Sequence, residues 1–109
     1  MSQSLVAPRE RRRAARAFRE WPVEIKNGSG KLWRGTSVDV STTGMRVRVD
    51  KSLELRGFMF ISFDPGDSVG PFWTNFSLVR EVAPGAEYGI RFLDLPPKNV
   101  ERLERLLAA

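Results

Sequence analysis

Asp39-Val40-Ser41-Thr42-Thr43-Gly44-Met45-Arg46-Val47-Arg48-Val49-Asp50 reads as a strand end, a turn and a new strand. Met45, Val47 and Val49 alternate with Arg46, Arg48 and Asp50, so one face of the segment is apolar and the other is wet. A period of two belongs to an extended chain, since apolar residues on a helix recur every three or four positions. Ser41-Thr42-Thr43-Gly44 has the short polar side chains and the glycine that a tight turn uses.

The same grammar extends in both directions. Trp21, Val23 and Ile25 alternate with polar neighbours, and Asn27-Gly28-Ser29-Gly30 supplies residues that tolerate the positive φ of a hairpin. A strand over 32–40 then leads into the 41–44 turn. Beyond Asp50, residues 58–63 form an apolar run that reads as a central strand covered on its outer side. Asp64 to Pro71 is a loop by composition. Another strand spans 72–82, Pro84-Gly85 turns the chain, and Tyr88, Ile90 and Phe92 mark the sixth strand. Pro96-Pro97 suits a helix start, and Val100, Leu103, Leu106 and Leu107 fall on one stripe. The spacing of Glu101 and Arg105 suits an i,i+4 pair on that helix.

The expected fold is therefore all-β: a six-stranded antiparallel β-barrel with a C-terminal α-helix over about 97–107 and a flexible, arginine-rich N-terminal arm. The arm covers 1–19 and the barrel with its helix 20–109. A chain of 109 residues, 41% hydrophobic, suits one domain with a modest core. Closing the sheet helps so small a domain, because closure removes exposed strand edges.

Charge narrows the partners. Residues 1–20 hold six arginines against two glutamates, so four of the net five positive charges sit there. A localised basic arm points to an anionic partner. The chain has no cysteine and no histidine. Disulfides, thiolate chemistry, imidazole acid–base catalysis and Cys/His metal sites are thereby excluded. No apolar run is long enough to span a bilayer and no signal-peptide stretch is present, so the expected location is cytoplasmic, without membrane insertion.

Two constellations could carry recognition. The first is Arg11-Arg12-Arg13-Ala14-Ala15-Arg16. A guanidinium binds phosphate through two parallel hydrogen bonds, reaches guanine O6 and N7 in the same way, and stacks on a base. Taken alone, a solvated basic tail explains this run better. The second is Asp39-Val40-Ser41-Thr42-Thr43-Gly44. Asp39 suits the N–H edge of guanine, Ser41 offers a hydroxyl, and Gly44 permits a backbone conformation or close approach that a side chain would block. Taken alone, an ordinary hairpin turn explains it better.

Together they are more specific. Arg12 and Arg16 form Arg-x-x-x-Arg, and Asp39, Ser41 and Gly44 form Asp-x-Ser-x-x-Gly. On these two motifs, with a Tyr88-Gly89-Ile90-Arg91-Phe92 strand, the chain resembles the PilZ domain family, whose members bind cyclic di-GMP. The resemblance runs from about Glu10 to the C-terminus. It implies a non-enzymatic bacterial second-messenger receptor, with cyclic di-GMP as ligand and no other cofactor. Arg12 and Arg16 are expected to grip phosphates and guanines, Asp39 and Ser41 to read the guanine edge, and Gly44 to shape the turn. An arginine just before the motif, here Arg11, goes with two intercalated ligand molecules, and Arg13 belongs to the same basic cluster. The arm is expected to be mobile alone and to order on binding, presenting a surface to a downstream protein that the sequence does not identify.

Two other readings stay open. One is a nucleic-acid-binding β-barrel with Trp33 and Trp73 as stacking platforms, although packing in or over the sheet suits both tryptophans better. The near-neutral balance of residues 21–109 argues against a long track for DNA or RNA. The other is a protein–protein adaptor of the same fold that takes no ligand. An enzyme is disfavoured, because Ser41 has no histidine to activate it and stands outside a Gly-x-Ser-x-Gly elbow.

Overall fold

The computed structural model describes residues 16–109. Seven strands and one helix follow in order: β1 Ala17–Phe18, β2 Pro22–Lys26, β3 Leu32–Val40, β4 Gly44–Val49, β5 Phe60–Phe63, β6 Phe72–Ala83, β7 Glu87–Leu93 and α1 Pro97–Ala108. All pairings are antiparallel, in the order β1-β3-β2-β5-β6-β7-β4. A further β3–β4 ladder closes β2 to β7 into a six-stranded barrel. The expected architecture is thus present, with β1 as an additional short strand against the end of β3.

Alternation builds the core. Val23 and Ile25 of β2, Trp33 and Val40 of β3, Met45 and Val47 of β4, and Tyr88 and Ile90 of β7 are all buried. Phe63 stacks on Phe72 at 4.9 Å and Phe92 at 5.3 Å between ring centroids, and Trp21 lies parallel to it at 6.2 Å. Burying each such ring contributes about 1.5–3 kcal/mol. Leu103 seats the helix in this cluster, with Leu106 and Leu107 packed beside it. The Glu101–Arg105 spacing closes into no ion pair among the described residues. Instead Arg102 lies 4.1 Å above the Phe72 ring and donates to Asp67 Oδ1 at 2.7 Å, tying the helix to the 64–71 loop.

The turns follow their residues. Asn27 Oδ1 accepts from the backbone N–H of Ser29 and Lys31, each at 3.0 Å, and Gly30 takes φ +87°. Gly85 takes φ +75° in the β6–β7 turn. The 50–59 connection is held by Trp33 Nε1, which donates to Ser52 O at 2.9 Å, and by Tyr88 Oη, which accepts from Leu53 N–H at 3.2 Å.

One element differs from the sequence reading. The fourth strand of the barrel begins at Phe60, and Phe58 is 73% exposed. Gly57, at φ +62°, turns the chain there, although Phe76 N–H still reaches Met59 O at 3.1 Å. The outer side of this strand is also only partly covered, since Phe60 is exposed while Ile61 and Phe63 are buried. The tryptophans part company. Trp33 is core, whereas Trp73 is 60% exposed on the outer face, in a groove with Pro22, Glu24, Ser62, Asp64 and Pro71.

Candidate functional site

Two of the three register shifts in the sheet shape the outer face at the site. The β3–β4 register runs Ser37↔Val47 and then Asp39↔Arg46, so Val38 is an extra residue on β3. Ser37 faces inward opposite Val47, and plain alternation would send Asp39 inward as well. The bulge reverses the phase, so that Asp39 emerges on the outer face and Val40 takes the buried position. The β6–β7 register jumps in the same way, from Leu78↔Ile90 to Arg80↔Gly89.

Ser37 stitches the backbone where β1 passes into β2. Its hydroxyl donates to Arg19 O and accepts from Trp21 N–H at 2.9 Å. Residues 19–21 stand opposite only Ser37 and Val38, because Phe18 pairs with Asp39 and Pro22 with Thr36. Pairing at Ala17 and Phe18 holds the preceding residue, Arg16, beside the end of β3. Arg16 Nη1 then donates to Asp39 Oδ1 at 2.8 Å across 23 residues of sequence.

Asp39 has a second guanidinium. Arg46 Nη2 donates to Asp39 Oδ2 at 2.9 Å. The Asp39 side chain is only 8% exposed, yet its charge is balanced from both sides, as a buried carboxylate requires. The network continues through Glu87, which accepts from Arg48 Nη2 at 3.0 Å and lies 3.4 Å from Arg46 Nε. That last contact lacks hydrogen-bond geometry and leaves the buried Arg46 Nε–H without an acceptor. Both Asp39 oxygens are taken, and the group left over in the network is Arg46 Nε–H.

An open cavity of about 420 Å³ lies over this network. Arg16, Asp39, Arg46 and Arg80 supply its polar lining, with Val79 and Gly89 between them. Its chemistry is three guanidinium groups around one carboxylate, suited to an anion that also carries a planar donor edge.

Of the residues singled out from sequence, Arg16 and Asp39 meet in this cavity. Ser41 is fully buried outside the lining, and its hydroxyl accepts from Thr43 N–H and Gly44 N–H, each at 3.2 Å. Gly44 pairs closely with β7: a Cβ there would stand 2.2 Å from Ile90 O. Of the two reasons for a glycine at 44, close approach is the one at work. Arg11, Arg12 and Arg13, and with them the mobility of the arm, lie outside the described residues. Arg46, Arg80 and Glu87 were not singled out. Arg46 carried a signal, since it stands on the wet face of the strand that follows the turn. The partnership with Glu87 is visible only once β4 and β7 are known to pair.

Comparison with solved structures supports the same fold. The chain is similar to Escherichia coli YcgR in complex with c-di-GMP, with 24% identity and a TM-score of 0.69, covering 90% of this chain and 45% of that one. It is similar to the PilZ domain of YcgR with c-di-GMP, with 20% identity and a TM-score of 0.64, covering 90% and 89%. It is also similar to the Bacillus subtilis inhibitor of motility MotI/DgrA, with 15% identity and a TM-score of 0.72, covering 93% and 54%. The chain thus spans about half the length of YcgR and of MotI/DgrA. Among curated proteins, no sequence match is found. The PilZ domain family model matches residues 10–109, and the chain, with its barrel and closing helix, belongs to the PilZ domain family.

Proposed function

We propose that this chain is a receptor domain for cyclic di-GMP, and that binding, without chemistry on the ligand, is its activity. The observation that carries the reading is the Arg16–Asp39 contact. It joins the second arginine of Arg-x-x-x-Arg to the acid of Asp-x-Ser-x-x-Gly at the wall of one cavity. Family membership and the c-di-GMP complexes of YcgR support the choice of ligand.

Binding then proceeds as an exchange. In the free protein Asp39 accepts from Arg16 and Arg46. A guanine presents a similar pair of N–H donors through N1 and N2 and takes the place of Arg16. Asp39 is never left uncompensated, because Arg46 keeps Oδ2. Arg16, 53% exposed and tethered by β1, turns to a phosphate or stacks on the base. Arg11, Arg12 and Arg13 reach the same ligand from the arm, and Arg11 favours two intercalated molecules. Ser41 and Gly44 act by holding the bend that carries Asp39 to the cavity. The arm orders across the barrel on binding and gives a downstream protein a surface absent from the free state. The setting is bacterial cytoplasmic signalling.

Calorimetric titration with cyclic di-GMP tests this, with GTP, cyclic di-AMP and single-stranded RNA as competitors. Arg12→Ala and Arg16→Ala are each expected to weaken binding by about 2 kcal/mol, roughly thirtyfold, as loss of a desolvated charge contact does. Unchanged affinity in both variants removes the proposed role of the arm.

A further inference from the structure

We propose that the groove around Trp73 is a docking site for an arginine side chain on the surface of a protein partner. The inference goes beyond the receptor reading and stands without it. Alternation along β2, β5 and β6 buries Val23 and Ile25, Ile61 and Phe63, and Phe72 and Thr74, so the residues between them face outward. Pairing then sets Glu24, Ser62 and Trp73 in one row across three neighbouring strands. Two strand spacings put the backbones of Glu24 and Trp73 about 10 Å apart, with a short serine side chain between them. The result is a trough of about 280 Å³, walled by an indole and a carboxylate and bordered by Pro22, Pro71 and Asp64.

Three features of the trough select a guanidinium. Trp73 is 60% exposed, and the negative face of an indole attracts a cation. Ser62 is 9% exposed and lines the trough, where its hydroxyl is not sealed from solvent and has no hydrogen-bond partner among the described residues. The carboxylates have capacity to spare. Asp64 Oδ1 accepts from Gly66 N–H at 2.9 Å, and Oδ2 makes no bond or ion pair among the described residues. Glu24 Oε2 meets Arg34 Nε of β3 at 3.3 Å, and Oε1 is free of such contacts. An arginine laid flat on the indole can fork to these oxygens and donate to Ser62. The trough lies at the opposite end of β6 from Arg80, on the order of 20 Å along the strand, so a partner held there leaves the Arg16–Asp39 cavity open.

Heteronuclear NMR of the full chain tests this through the Trp73 indole N–H. The probes are acetyl-Gly-Gly-Arg-Gly-Gly-amide and the same peptide with citrulline, the uncharged isostere, in place of arginine. The arginine peptide is expected to shift the Trp73 resonance saturably in the millimolar range, as one exposed contact of this kind does, and the citrulline peptide to leave it in place. Asp64→Asn is expected to weaken the arginine peptide about threefold. Trp73→Ala, at an exposed position, is expected to keep the melting temperature and abolish the saturable shift at the Ser62 amide. No saturable shift with the arginine peptide, or equal shifts with both peptides, overturns the proposal. A Trp73 resonance that moves with protein concentration alone gives the groove to a second copy. One that moves when Arg9, Arg11, Arg12 and Arg13 are together changed to alanine gives it to the chain's own arm, and either outcome also overturns the proposal. No cyclic di-GMP enters these titrations, so the receptor reading stands or falls separately.

Discussion

Ser41 and Asp39 are two positions apart, yet the structure gives them different work. Asp39 holds a nearly buried charge between Arg16 and Arg46 at a cavity wall. Ser41 has no exposed surface, and its hydroxyl is committed to the N–H groups of Thr43 and Gly44. Removing that hydroxyl takes the acceptor from two backbone donors, of which Gly44 N–H is buried. Ser41→Ala is therefore expected to lower the stability of the free protein by about 1–3 kcal/mol, read from urea denaturation. Any loss of affinity should follow from the disturbed bend. If Ser41→Ala melts like the unmodified protein and yet binds more weakly, the hydroxyl is a direct ligand contact and the turn assignment fails. Reading the sequence placed both residues at one bend. It could not divide their roles, because the division depends on which hydroxyl lone pairs the turn already uses.

Strands were legible wherever alternation held. The residues from Met45 to Val49 alternate as written, and their outer arginines are wet or ion-paired. Bulges were not legible, since an extra residue changes the facing of everything after it while leaving no mark in composition. Arg80 is the consequence: counted by twos from Phe72 it belongs inside, and only the register shows it outside. β1 was hidden for a related reason. Two residues among arginines have no periodicity, and their pairing needs the exposed end of β3. The helix stripe was plain, but its electrostatic anchor lies far off in sequence, at Asp67. Arg102 donates to that carboxylate, and Gly70 and Val69 add backbone N–H donors; against some desolvation, these hold its pKa below the ordinary 3.8. A carboxyl depressed in the folded state stabilises above its unfolded pKa, and that stability is lost as pH falls through the folded value. Asp67→Asn is expected to melt lower than the unmodified protein near neutral pH, with the gap closing as pH drops below 3.8. A gap that persists unchanged into that acid range would show that the charge of Asp67 does not secure the helix.

At the scale of the molecule, the decisive feature is where charge is concentrated. Four of the net five positive charges fall within residues 1–20. At one cavity Arg16 joins Arg46 and Arg80 of the barrel strands. Trp73, the exposed tryptophan, shares its groove with Glu24 and Asp64, whose carboxylates repel a phosphate backbone. A compact ligand with two phosphates and a polymer with many then predict different salt responses. Each neutralised phosphate on a nucleic acid adds roughly one unit to the slope of log affinity against log salt, so six to ten contacts lose about 10³–10⁵ in affinity between 50 and 200 mM. Two phosphates cap the loss for cyclic di-GMP at about tenfold over the same range. Titrations at the two salt concentrations, repeated with single-stranded RNA as competitor, separate the cases. A shallow response with no displacement by RNA is expected. A loss of a thousandfold or more, or displacement by RNA at equal concentration, would move the arm from closing over a small dinucleotide to tracking a strand.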